Sequence, residues 1–458
     1  MKRNFNYLKI WLSFFVLFIF SGCASKTLNY EIKEIKSDYN ATWQYSFNIA
    51  ELDELIQKTL KNNENLNTAV LNLNIALRQA GLNKADLFPT PSASLSASSS
   101  RDISYHDKSK RSFSSGFGLS WELDLWGRVY NAYESANFNA KKSLLNLQDI
   151  QISIINSVIS EYFNILYLNE RKQNLIKNLK NMQALDKIVR QKFNLGRAEL
   201  LELAQSNANL LSAQNSLKST NKELENAYEA LANLTRTELI PQGYISDISR
   251  PSLDFGIEVV GDENFSFSKP QELKIAWIER ILTRPDVNAK LASLNAGFYD
   301  YKIAQKNFLP KITLNGGLND SDKNFNDAFG FNLLSGALNI SLPFLDYARL
   351  KKNLKISQDQ FEILRLAYKQ SLNNALNEAI KYAAFYQIDV QNLKNQEKIV
   401  SQREQIVEIY NLKYNQGAVS LKDLLEAQNA LISAQNTLAS QKYELINDEI
   451  NFYKAIAR

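Results

Sequence analysis

The chain has 458 residues with 15 Gly, 8 Pro, one Cys and one His, and a formal net charge of +5. Gly and Pro fall well below their usual shares of roughly 7% and 5%, which excludes a turn-rich all-β protein and points to long helices. One Cys allows no internal disulfide, one Cys with one His cannot build a Cys/His zinc cage, and His106 sits in a polar, charged stretch.

Lys2, Arg3 and Lys9 open the chain, and Ile10 to Phe20 are apolar apart from Ser13. That run is too short to span ~30 Å of hydrocarbon as a helix and has the layout of a secretory signal over residues 1–22. Ser21-Gly22-Cys23 resembles a bacterial lipoprotein cleavage site, with Cys23 acylated after processing and residues 23–50 forming a lipid-anchored segment. Phe20 stands where Leu is usual, and plain signal cleavage leaving a free thiol is the other reading. Removing 1–22 lowers the net charge to +2 and leaves no basic tract for nucleic acid.

Residues 92–240 and 344–458 contain no proline. Past Gly127 the first stretch holds a single glycine, Gly196, and the second holds only Gly417. Each therefore predicts a helical hairpin turning at its glycine. The outgoing arms, 128–194 and 349–415, would each run ~100 Å at 1.5 Å per residue. On the returning arms Leu203, Leu210, Leu217, Leu224 and Leu231 recur every seven residues, as do Leu424, Leu431, Leu438, Leu445 and Phe452. That period predicts left-handed coiled packing, with Ala213, Ala427 and Ala434 beside the stripe allowing close approach.

A shift of 221 residues superposes Gly196 on Gly417, Pro89 on Pro310 and Arg128 on Arg349, and from Lys192 to Leu217 it makes 11 of 26 positions identical. The chain is a duplication. The first repeat occupies 51–235, a Pro/Gly/Ser-rich equatorial linker 236–270, and the second repeat 271–458. Each has a shorter helix, about 66–87 and 286–308, ahead of a strand pair.

The strands are expected at about 92–100 and 113–124, then 311–319 and 329–342. Phe113, Ser115, Phe117, Leu119, Trp121 and Leu123 alternate with small or polar residues over a length suited to a tilted membrane strand. Phe329, Phe331 and Leu333 start on one parity while Leu338, Ile340 and Leu342 finish on the other, which predicts a bulge near Ser335-Gly336. Polar turns at 101–111 and 320–327 join the pairs.

Strands with one apolar face either cover a protein core or face lipid outward and water inward. In hydrocarbon an open sheet edge is not tolerated, so the second option requires closure. Four strands cannot close alone. Three chains give a twelve-stranded barrel with a lumen, and two chains with eight strands are also permitted. The rods begin where the strands end, and the short and returning helices together nearly match one rod in length. The fold class is therefore mixed but mainly α: duplicated helical hairpins forming an α-barrel below a membrane β-barrel.

Trp121-Glu122-Leu123-Asp124-Leu125-Trp126-Gly127-Arg128, followed by Asn131-Ala132, resembles the first strand-to-rod junction of TolC-like outer-membrane factors. Leu87-Phe88-Pro89 and Phe308-Leu309-Pro310 resemble the family's helix-to-strand turns. Arg284-Pro285-Asp286-Val287 resembles its second-half opening, and Leu342-Pro343-Phe344-Leu345-Asp346 with Arg349 its second junction. The likeness runs from about residue 45 to the end. The lipoprotein-type start resembles the branch serving resistance-nodulation-division pumps.

The resemblance implies a homotrimer in the outer membrane of a Gram-negative bacterium, with the α-barrel periplasmic. Such a trimer completes a tripartite efflux system with a periplasmic adaptor (membrane fusion) protein and an inner-membrane pump, binding no cofactor and catalysing nothing. A duct for type I protein secretion is the rival within the class. A lipid-anchored coiled-coil scaffold without a pore is the rival outside it; it explains the heptads but not the strands.

Counting from Gly417, Asp423 and Glu426 match the family's acidic ring at the tunnel mouth, although most such residues are solvated charges on an exposed helix face. Tyr414 matches a tyrosine that helps hold the closed state. Val419 stands where an arginine is expected, which makes Arg197, beside Gly196, the nearest basic replacement. The tips at Gly196 and Gly417 match the adaptor-docking region, and Trp121, Trp126 and Phe344 are placed as membrane-interface aromatics. His106 falls in an external loop with no assigned role.

Overall fold

The structure is a computed structural model that describes residues 30, 47, 49–101, 109–237 and 275–456. The chain divides into two compact units, Met1–Glu34 and Ile35–Arg458. Only Tyr30 of the first unit is described, and every element named below belongs to the second. Cys23, His106 and nearly all of the 236–270 linker lie outside the described residues.

In chain order the elements are α1 (Ala50–Asn62), α2 (Glu64–Ala85), β1 (Thr90–Ser100), β2 (Lys110–Leu123), α3 (Arg128–Asn194), α4 (Leu200–Thr235), α5 (Ile275–Ile281), α6 (Pro285–Lys306), β3 (Lys311–Asp322), β4 (Leu333–Ser341), α7 (Tyr347–Asn415) and α8 (Leu421–Ala455). Two 3₁₀ turns, Asn326–Phe329 and Pro343–Asp346, flank β4. The rods α3 and α7 have 67 and 69 residues and start and stop within two positions of their expected bounds.

Both rods end in the same way. Gly196 (φ 67°) and Gly417 (φ 74°) adopt the left-handed conformation. Arg197 N–H donates to the Lys192 carbonyl (2.8 Å) and Gly196 N–H to that of Phe193 (2.9 Å), while Ala418 and Gly417 repeat the pattern on Lys413 and Tyr414 (2.9 and 3.1 Å). These paired bonds satisfy carbonyls that the helix end would otherwise orphan, and only glycine takes that backbone angle without strain.

The heptad packing differs in detail from its sequence signature. The most buried seam of α4 is Ser206, Ala213, Thr220 and Ala227, a seven-residue row of small side chains. Leu203, Leu210 and Leu217 lie one turn earlier and stay half-exposed, whereas Leu224 and Leu231 are buried. Close approach of the helices selects the small residues for the contact line and moves the leucines to its flank.

Helix α6 packs between both rods, α3 and α7, and is buried along most of its length. Its repeat counterpart α2 packs on α3 but leaves Leu71, Ile75 and Leu82 more than 60% exposed. Helix α1, unassigned in sequence, fills the gap beside α3 and α4 with Leu52, Leu55 and Ile56. The main core gathers Phe47, Ile159, Tyr162, Leu231, Ala379 and Tyr453, so it draws on both repeats.

The strands form one antiparallel sheet in the order β1-β2-β3-β4. Pairing of β3 with β4 is one-to-one from Lys311↔Ser341 to Asn319↔Leu333, so the expected bulge at Ser335-Gly336 is absent. The parity slip has another cause: the strand begins only at Leu333. Phe329 belongs to a 3₁₀ turn and Phe331 has a φ of 49°, so their alternation is that of a loop.

Candidate functional site

Register sorts the sheet into two faces. Leu95, Ala97, Phe113, Phe117, Leu119, Trp121, Ile312, Leu314, Leu318, Leu334, Leu338 and Ile340 share one. The other carries Ser92, Ser94, Ser96, Ser112, Ser114, Gly116, Gly118, Ser120, Thr313, Asn315, Gly317, Asn319, Ser335 and Asn339. Hydroxyl and amide groups bond along it, as in Ser96–Ser114 (2.7 Å) and Asn319 Nδ2 to Ser335 Oγ (3.2 Å). Leu95, Leu334 and Leu338 are 70%, 79% and 58% exposed, and strands β1 and β4 are unpaired edges of the sheet. An uncovered apolar face with open edges is tolerated neither in water nor, unclosed, in lipid.

The first junction explains its own motif. Arg128 forks onto Glu122, with Nη2 2.7 Å from Oε2. Gly127 turns the chain at φ 73°, and the Asp124 carboxylate accepts the N–H groups of Val129 (3.0 Å) and Tyr130 (2.7 Å), capping α3. Anionic acceptors at a helix start offset its orphan donors and its dipole. Trp121 Nε1 donates to the Leu87 carbonyl (3.0 Å) and Trp126 Nε1 to that of Pro310 (2.8 Å), so the two indoles tie the junction to the helix-to-strand turns of both repeats. Phe344 lies half-exposed in the second junction's 3₁₀ turn, where Arg349 pairs with Asp346 (2.6 Å).

At the other end of the rods the two hairpin tips share an apolar cluster of Met182, Leu185, Val189, Ala213, Tyr414, Leu421, Leu424 and Leu425. Tyr414 is buried there with Lys192 Nζ 4.1 Å from its ring centre, and Val419 packs against the same cluster. The tyrosine thus fastens one hairpin of the chain to the other. Arg197 is exposed beside Gly196 and takes part in no ion pair among the described residues.

Asp423 and Glu426 occupy different settings. Ser420 and Asp423 form a reciprocal capping box at the start of α8: Asp423 N–H donates to Ser420 Oγ (3.2 Å), and Ser420 N–H donates to Asp423 Oδ2 (3.0 Å). The hydroxyl and backbone N–H of Ser420 hold the Asp423 carboxyl below its ordinary range. Glu426 is exposed and pairs with Lys422 at 3.8 Å. Sequence reasoning missed Asp186, whose buried carboxylate receives Arg190 Nε (2.6 Å) and Ser206 Oγ (3.3 Å) across the first hairpin. An i,i+4 Asp–Arg pair reads as an ordinary surface pair until its burial is known.

Farther along, a groove of 640 Å³ runs between α3, α4 and α8, lined by Asn209, Ser212, Ser216, Asn429, Ser433 and Thr437 among others. Among the described residues no cluster of His, Cys, Asp or Glu is arranged to hold a metal, and no helix is long and apolar enough to cross a membrane.

Paired long helical hairpins joined to an amphipathic, open-edged sheet define a channel-forming outer-membrane architecture. The family described as outer membrane efflux protein matches residues 55–235 and 278–458, one span for each repeat, and the chain belongs to that family. It is 29% identical to Toxin and drug export protein A of Aggregatibacter actinomycetemcomitans over 472 aligned residues, covering 99% of this chain and 98% of that protein. It is 25% identical to the Cation efflux system protein CusC of Escherichia coli K12, covering 91% and 88%. In fold it is similar to the Campylobacter jejuni CmeC outer membrane channel, with a TM-score of 0.78, 23% identity, and coverage of 94% and 90%.

Proposed function

We propose that this protein is the outer-membrane channel of a tripartite efflux system, a passive homotrimeric conduit that takes its cargo from an inner-membrane pump through a periplasmic adaptor. The sheet carries this reading. Its four strands have an apolar face, a Ser/Gly/Asn face and two open edges, so stability in a membrane requires β4 of one copy to pair with β1 of the next. The names of relatives as efflux and export proteins agree. Cys23 would add a lipid anchor, and Trp121, Trp126 and Phe344 would sit at the outer membrane's interface with water in addition to bracing the junctions.

The tips are proposed as both gate and docking site. Tyr414 and Val419 join the two hairpins within each chain, and Asp186 ties the two arms of the first through Ser206. Asp423 and Glu426 would supply the acidic ring, and Arg197 remains a candidate contact between copies. The adaptor would dock around Gly196 and Gly417 and in the hydroxyl-rich groove above them. The word toxin in the name of a relative aligned over nearly the whole chain keeps type I protein secretion as a second reading.

Planar-bilayer recording tests the channel. Wild type is expected to conduct and to be blocked from one side by a trivalent cation. Glu426→Gln, which leaves the capping box intact, is expected to weaken that block, since multivalent block depends on converging carboxylates. Block unchanged in both Glu426→Gln and Asp423→Asn removes the acidic ring; absence of conductance together with no heat-modifiable migration on a gel removes the barrel.

A further inference from the structure

The β3–β4 loop does not extend away from the sheet. Its 3₁₀ turn folds back over the outward, apolar face of β2 and β1, where the Ser115 hydroxyl donates to the Ala328 carbonyl and Ala328 is buried. Phe325 meets Phe113 edge-on at 5.6 Å and Phe329 at 5.1 Å. Between loop and strands remains a cavity of 190 Å³ lined chiefly by Leu95, Ala97, Phe113, Phe325, Ala328 and Phe329. On a water-facing loop such a cavity would only destabilise. Here it is continuous with the apolar face that carries Phe117, Leu119, Leu318 and Leu334.

Polarity changes immediately above it. Arg111 lies on the same face as Phe113, two residues nearer the strand end and opposite Ser99, and it is exposed. The acids nearby are engaged by the loop itself: Asp322 Oδ1 accepts Asn324 N–H (2.8 Å) and Asp320 Oδ2 accepts Asn332 Nδ2 (3.1 Å). An apolar slot with an exposed arginine two residues beyond it on the same face, at the outer edge of a membrane-facing sheet, has the layout of an anionic lipid: chain below, charged head above.

We propose that this cavity is a lipid subsite, which takes an acyl chain of an outer-leaflet lipid of net negative head-group charge while Arg111 pairs with that head. The inference rests on the barrel reading, since only there does this face meet lipid. The aromatic loop then clamps one lipid at each copy and fixes the outer rim of the sheet.

The test uses the full channel in phosphatidylcholine vesicles doped with a phospholipid carrying a diazirine in its acyl chain, as the phosphatidylglycerol or the phosphatidylcholine form. Adducts are mapped by mass spectrometry after irradiation. Adducts are expected at Phe113 and across 325–329, with the anionic probe favoured about fivefold. Arg111→Gln is expected to remove that preference. Ala97→Trp, which fills the slot, is expected to remove adducts at Phe113 and spare those at Leu334 and Leu338. Adducts at Leu334 and Leu338 with none at the slot overturn the subsite and keep the barrel. Adducts at Phe113 that survive Ala97→Trp show general lipid exposure and also overturn it. Equal yields from both probes remove the role of Arg111, and no adducts on any strand defeat the barrel reading itself.

Discussion

Glu449 is 3% exposed on α8, and its Oε1 has no hydrogen-bond partner. Burial pushes its carboxyl up from an ordinary 4.5 to about 8. A folded-state value above the unfolded one means that the folded chain holds the proton more tightly. The stability this contributes is full below about 4.5 and is lost as the pH rises through about 8. Asp448, raised to about 7 by burial and by its hydrogen bond with Asp389, acts in the same direction. Glu449→Gln, which mimics the protonated form, is expected to raise the melting temperature at pH 8 more than at pH 5 and to flatten its pH dependence. Thermal melts of the detergent-solubilised channel at the two pH values check this; an unchanged slope would show the carboxylate to be solvated.

At the scale of elements, the opening of the second repeat shows how a local motif ties together distant parts of the chain. Pro285 starts α6, and Asn288 Nδ2 donates back to the carbonyls of Leu282 (2.9 Å) and Arg284 (3.1 Å). The Arg284 guanidinium, 8% exposed, reaches Asp286 (2.9 Å), Glu378 on α7 (2.8 Å) and the Ala455 carbonyl at the end of α8 (3.1 Å). Removing one partner of such a buried cluster leaves uncompensated charge, so Arg284→Ala is expected to cost about 3–5 kcal/mol. Arg284→Lys keeps the charge but gathers its donors on one nitrogen, which does not reproduce the planar fork that reaches Asp286, Glu378 and Ala455, and should lose part of that. Chemical denaturation followed by helical circular dichroism measures both. The Arg-Pro-Asp string is visible in sequence, but its contacts to positions 378 and 455 are not. The rods are legible because proline is absent and one glycine ends each arm. The start of β4 is not, because Phe329 and Phe331 alternate by accident, and the indoles of Trp121 and Trp126 bond to carbonyls 34 and 184 positions away, beyond any local pattern.

For the whole molecule, the duplication serves as an internal control on assembly. Helix α6 is covered by two rods, its own repeat's α7 and the preceding repeat's α3, and α2 has only the first of these relations, through α3. Positions related by the 221-residue shift make the difference plain: Ala292, Ala296 and Phe298 are 0%, 3% and 7% exposed, whereas Leu71, Ile75 and Leu77 are 61%, 62% and 53% exposed. The rod missing from α2 is by this logic α7 of another copy, which carries its own uncovered Ile356, Ile363 and Leu366 at 53%, 64% and 54%. Burying side chains of this size contributes about 1.5–3 kcal/mol each, enough for a few of them to decide association. Ile75→Lys is therefore expected to leave each chain helical while abolishing the oligomer. Ala296→Lys, at the matching position of α6, places the same charge inside a single chain and is expected to disrupt its fold. Light scattering coupled to size exclusion, with circular dichroism on the same fractions, separates the two. If Ile75→Lys assembles normally, α2 is covered by something other than a neighbouring rod, and the repeat ceases to describe the interface between copies.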